Sequence, residues 1–97
     1  MSTATWTFLS NHTHVLVCIA RDPAVTMREV ADQVGITERA VQRIVRDLVD
    51  GGYLTRQREG RHNVYGVRAE RPLRHDLEQS TDLGALLEIL HARYLAA

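Results

Sequence analysis

The stretch VADQVGITERAVQRIVRDL, residues 30–48, decides the fold. Val30, Ala31 and Val34 lay a narrow apolar stripe on one helix, and Ala31 is small enough to let a second helix cross closely. Gly35 supplies the positive backbone angle that ends this helix and starts a tight turn. Ile36 tucks into the core from the turn, Thr37 caps the next helix, and Glu38 stands favourably at its positive end. Along that second helix Val41, Ile44, Val45 and Leu48 recur at spacings of three and four and form its buried face. Arg39, Gln42, Arg43 and Arg46 recur with the same period on the other side. The stretch therefore reads as a helix-turn-helix whose second helix, about residues 38–50, has a basic outer face rich in hydrogen-bonding groups.

Working outward, Thr26 and Glu29 form a capping box that starts the first helix of the pair, about residues 27–34. Before it, VLVCIARD lies in a helix over roughly 11–21, capped by Ser10 or Asn11 and ended by Asp22-Pro23. Ala24 and Val25 are expected to form a very short strand. Met1 to Thr5 read as a frayed end, followed by an apolar segment with Trp6, Phe8 and Leu9. On the other side Gly51-Gly52 ends the arginine-bearing helix, and YLTRQ, REGR and HNVYGV read as strand, turn and strand over about 53–68, with Gly60 in the turn. Leu54, Tyr65 and Val67 can face inward while Arg56, Arg58 and Arg61 crowd the hairpin and its tip. A helix-turn-helix followed at once by a basic hairpin is a winged helix-turn-helix. The fold class is mainly α with a small β-hairpin, an α+β arrangement with an additional C-terminal helix.

That helix follows Pro72, in LRHDLEQSTDLGALLEILHARYL, where Ser80 or Thr81 can act as its cap. Leu83, Leu86, Leu87, Leu90 and Tyr94 fall on one stripe. A domain this small has few places left to bury them, so the stripe reads, with Trp6 and Phe8, as a dimer interface. The alternative is that it closes the monomer core, because small domains need every apolar contact.

From about Thr13 to Val67 the chain resembles the small bacterial winged-helix transcription regulators of the MarR and ArsR type, on the strength of VADQVGITERAVQRIV, DLVDGGYLTRQREGRHNVYGV and the wing-tip Arg61. The resemblance implies a two-fold dimer that binds double-stranded DNA with the arginine-bearing helix in a major groove and the wing tip on the minor groove or the flanking backbone. By the same resemblance Arg39, Gln42 and Arg43 face bases or phosphates, and Arg46, Arg56, Arg58 and Arg61 mostly phosphates. With Thr37 at the helix start, these make up the candidate DNA-binding set. Residues 1–71 are then the DNA-binding domain and 72–97 a C-terminal helical segment for dimerisation. The chain is shorter than typical MarR proteins, and it lacks the cysteine pair that many ArsR metal sensors carry.

Composition sets the outer bounds. Ninety-seven residues, 44% apolar and 25% charged, make one small folded domain. No window approaches the roughly 18 unbroken apolar residues of a membrane span, and no basic start leads into an apolar run, so a cytoplasmic protein is expected. The single Cys18 excludes a disulfide framework and reads as a small buried hydrophobe. Every basic side chain other than histidine is arginine, twelve of them against twelve Asp plus Glu, for a net charge of zero. Zero is a sum of unlike parts. From Arg39 to Arg68 seven arginines face Asp47, Asp50 and Glu59, plus four, while residues 1–38 and 69–97 carry minus two each. A polyanion responds to the surface it touches, within a Debye length of roughly 8–10 Å.

Other chemistries find little support. His12, His14, His62, His75 and His91 lack metal-ligand spacing, and neither a metal nor a cofactor is expected. There is no nucleophile with a neighbouring base, no paired carboxylates in an apolar setting and no phosphate loop after a strand, so the chain is not read as an enzyme. The resulting expectation is a sequence-specific, dimeric DNA-binding regulator, a repressor because no separate activation domain is evident, with any small-molecule effector unknown. A winged-helix module that contacts protein instead, or one that binds structured RNA, are the alternatives.

Overall fold

The computed structural model describes residues 5–90. It contains α1 (Asn11–Arg21), α2 (Met27–Val34), α3 (Glu38–Asp50), β1 (Leu54–Glu59), β2 (His62–Val67), a 3-10 turn (Asp76–Glu78) and α4 (Leu83–Ile89). This is a winged helix-turn-helix with one further helix, an α+β fold in which α1, α2 and α3 pack on one another and α1 and α3 also pack on the antiparallel β1–β2 hairpin.

Local chemistry explains most of the element boundaries. Ser10 occupies the N-cap position of α1, yet neither it nor Asn11 caps through its side chain; the Ser10 carbonyl accepts from His14 N–H at 3.2 Å, and Asn11 Oδ1 pairs with His14 Nδ1 instead. The chain leaves α1 at Asp22, extended as a residue before proline must be. Ala24 and Val25 form no strand, contrary to expectation. Asp22 Oδ1 accepts from Ala24 N–H at 3.1 Å and the Asp22 carbonyl from Val25 N–H at 2.9 Å, so the segment curls into a turn. Its one ladder-like contact is Tyr65 N–H donating to the Pro23 carbonyl at 3.1 Å.

At the start of α2 the capping box forms in full: Glu29 N–H donates to Thr26 Oγ1 and Thr26 N–H to Glu29 Oε1. The Thr26 backbone and side-chain hydrogen bonds hold the Glu29 carboxyl below its ordinary value of 4.5. A depressed carboxylate stabilises the fold above that ordinary value and ceases to do so as pH falls through the lowered one, so this end of α2 is firm at neutral pH and loosens in acid. Thr26→Ala is expected to cost about 1 kcal/mol, seen as a lower urea midpoint with an unchanged slope.

Two glycines stop helices. Gly35, at φ 85°, ends α2 with its N–H on the Ala31 carbonyl at 2.8 Å. Gly52, at φ 84°, ends α3 in a paired arrangement, with Gly52 N–H on Val49 O and Tyr53 N–H on Leu48 O. The hairpin then runs in register from Leu54 opposite Val67 to Glu59 opposite His62, leaving Gly60 and Arg61 as a two-residue turn.

The C-terminal segment departs most from the sequence reading. Neither Ser80 nor Thr81 caps α4; Asp82 does, its Oδ1 accepting from Ala85 N–H at 2.8 Å. Leu83 and Leu87, expected at a dimer interface, are 1% and 0% exposed and belong to the same core as Val15, Ile19, Val41 and Val45. They are satisfied within the chain and are not part of a surface open to a partner. Leu86 and Leu90 are half-buried, and Tyr94 lies outside the described residues. The core also runs across residue 72, where a division of the chain was expected. Leu83 N–H donates to the Arg71 carbonyl and Gly84 N–H to that of Ala69, both at 2.9 Å, which ties α4 to the chain leaving the wing.

Candidate nucleic-acid interface

The face of α3 opposite Val41, Ile44, Val45 and Leu48 is open to solvent, and Arg39, Gln42, Arg43 and Arg46 are all exposed on it. Their spacings of three and four keep them on neighbouring turns of one side. Thr37 is exposed too, but its hydroxyl oxygen already accepts from Ala40 N–H at 3.1 Å as the helix cap. After Glu38 at the first position of this helix, the basic groups occupy Arg39 to Arg46, and Asp47 and Asp50 follow at its end.

Arg43 and Asp47 are one turn apart, the spacing at which opposite charges on a helix pair with each other. They do not pair here. Asp47 Oδ2 is 2.9 Å from Nε2 of His12, in the first turn of α1. Among the described residues, none of Arg39, Arg43, Arg46, Arg56 and Arg61 has an acidic partner within ion-pair distance; the ion pairs present are His12–Asp47 and Arg68–Glu70.

The hairpin arginines are less uniform than the sequence suggests. Arg56 faces Tyr65 and Arg58 faces Asn63 across the ladder, so both share a side of the hairpin with Leu54 and Val67. Period-two alternation puts them beyond the buried base of the hairpin, where that side emerges into solvent. Arg58 Nε donates to the Gly60 carbonyl at 3.1 Å, folding this side chain back over the turn, and Arg61 is exposed within the turn itself. The two arginine sets are carried by elements in direct contact, since α3 packs on β1.

Two further arginines are engaged internally. Arg68 Nε donates to Glu70 Oε2 at 3.1 Å, and a hydrogen bond from the Glu70 backbone, with this one beside it, holds the Glu70 carboxyl below its usual range. Arg71 donates to the Gly51 carbonyl at 3.3 Å, with its guanidinium lying against Gly52, and Tyr53 Oη donates to the Pro72 carbonyl at 2.7 Å. The end of α3 is thus clasped by the chain that leaves the wing. Sequence reasoning missed the Tyr53–Pro72, Arg71–Gly51 and His12–Asp47 contacts, since no local pattern signals residues 19, 20 and 35 positions apart.

Elsewhere, Trp6 and Phe8 are 67% and 92% exposed and meet edge to face, with ring centroids 5.1 Å apart. Leu77 and Ile89 are also exposed, neither having been singled out from the sequence. A cleft of about 440 Å³ opens between the start of α1, the end of α3 and α4, with Leu16, Leu48 and Leu86 among its walls. Cys18 is buried, and burial pushes its thiol pKa up against the pull of Arg21. Among the described residues no group of three His, Cys, Asp or Glu side chains is placed to hold a metal, and no helix is long and apolar enough to cross a membrane.

Residues 7–62 match the sequence profile of the MarR family. Among solved structures, that of the zinc-dependent MarR Family Transcriptional Regulator AdcR in the Zn(II)-bound state superimposes with a TM-score of 0.54 and 17% identity, over 98% of this chain and 61% of that one. The chain therefore spans about three fifths of the length of that regulator, and at this identity the likeness is one of fold. No curated protein sequence matches the chain.

Proposed function

The chain belongs to the MarR family of winged-helix transcription regulators, and from that membership we propose that it binds double-stranded DNA sequence-specifically as a homodimer and represses transcription. In this reading α3 enters a major groove, Arg39, Gln42 and Arg43 meet base edges, Arg46 meets phosphate, and Arg56, Arg58 and Arg61 on the wing meet the minor groove or the flanking backbone. The observation that carries it is the row of α3 arginines without acidic partners among the described residues, with Asp47, one turn beyond Arg43, on His12 instead. Side chains meant only to solubilise a helix gain from pairing along it; these face outward, unpaired among the described residues. Repression follows from occupancy alone, with no activating surface required.

Two copies would present two such faces, and Trp6, Phe8, Leu86 and Leu90 are apolar groups still available for the contact between copies. The exposed Trp6–Phe8 pair also favours a second reading, a module that contacts another protein through this segment.

Selection of bound duplexes from a randomised DNA pool separates the two. The expected result is a palindrome with half-sites about one helical turn apart, bound much more tightly than a scrambled duplex at moderate salt. Weak binding that is indifferent to sequence and vanishes with salt would reject the DNA reading in favour of the protein partner.

A further inference from the structure

Two acids, Asp47 and Asp50, follow the arginines of α3, and of the two Asp47 has an ion-pair partner among the described residues. Asp47 sits one turn beyond Arg43 and next in sequence to Arg46. An acid in that position can act in two ways, by drawing Arg43 into an intrahelical pair and by repelling phosphate. The carboxylate is instead turned towards α1, where His12 Nε2–H donates to it at 2.9 Å. The two residues come from helices that pack against each other, and both side chains are about half exposed, so the bond can form and break without disturbing the core.

We infer that His12 is a positioning residue for DNA recognition: it holds Asp47 away from Arg43 and so keeps the Arg43 guanidinium free to meet a base. The inference rests on the DNA-binding reading above. His12 itself need not touch DNA, and its effect passes entirely through Asp47.

That route dictates the test, a double-mutant cycle of His12→Ala and Asp47→Asn with affinity measured for the selected duplex. His12→Ala alone is expected to weaken binding about two- to fivefold, by releasing a carboxylate that pairs with Arg43 in each protomer of the dimer. Asp47→Asn alone should bind at least as tightly as the unmodified protein. Adding Asp47→Asn to His12→Ala should restore affinity to that of Asp47→Asn, since nothing is then left for His12 to restrain. A double variant as weak as His12→Ala would overturn the inference and make His12 a DNA contact or a packing residue of α1, and no effect of His12→Ala would overturn it as well. Failure of the function reading is separately visible, because the unmodified protein would then select no duplex. In that event the Arg43 Nε–H resonance still decides: it should move in His12→Ala and return in the double variant, and an unmoved resonance rejects the restraint.

Discussion

Replacing Arg43 with Ala is expected to lower affinity for the selected duplex by about 10²- to 10³-fold, while affinity for a scrambled duplex falls far less. The magnitude comes from one good base contact being worth roughly 1–3 kcal/mol, counted once in each half-site of a dimer, with tenfold in affinity for each 1.4 kcal/mol or so. Arg43 is the residue to choose because it faces away from the buried side of α3 and has no acidic partner among the described residues. Its loss removes an intermolecular contact without breaking an internal one. Arg61→Ala provides the contrast. It lies in the wing turn, and if it meets phosphate its loss should weaken all duplexes alike and reduce the salt slope by about one per contact. Equal losses on selected and scrambled duplexes for Arg43→Ala would mean that Arg43 also meets only phosphate, and base readout would have to move to Arg39 and Gln42.

Leu87→Ala is expected to destabilise the fold by about 2–5 kcal/mol, the range for a leucine removed from a packed core. Leu87 is fully buried, and the core it joins includes Leu83 of its own helix and residues of α1 and α3, so the cavity left behind has little freedom to close. For a domain with total stability of about 5–15 kcal/mol this is a large share. The effect should appear as a fall in the urea midpoint that does not depend on protein concentration, as a loss inside one chain requires. Phe8→Ser is the matching control. That side chain is 92% exposed, so its loss should leave the midpoint of a single chain nearly unchanged and alter only association. A Leu87→Ala variant of normal stability that dissociates more readily would return α4 to the role of a dimer interface.

Much of the architecture was legible in the sequence because it depends on interactions within a few residues. The capping box of Thr26 and Glu29, the cap by Thr37, and the positive φ at Gly35 join neighbours three or four positions apart at most, and each forms as read. The periodicity of Val41, Ile44, Val45 and Leu48 also fixes which side of α3 is left for the arginines. Where the local reading failed, two local solutions competed. At Asp22 to Val25 a turn closed by the aspartate side chain prevailed over a two-residue strand, since so short a strand offers few ladder hydrogen bonds in return. At the start of α4, Asp82 prevailed over Ser80 and Thr81, all three being good caps by type.

By itself, then, the sequence determined the helix-turn-helix, the wing and the identity of the arginines on the outer face of α3. The tertiary structure alone decided how those arginines are left free and what the C-terminal leucines bury. A stripe of leucines states that one face must leave water, and it carries no information on whether the covering surface is the same chain or another; the packing of Leu83 and Leu87 into the core supplied that answer. Likewise Asp47 has its natural helical partner one turn away, and only the approach of α1, bringing His12 across 35 positions of sequence, gives it a different one. Hydrophobic burial and long-range hydrogen bonds are properties of which surfaces meet, and that is settled when the whole chain packs.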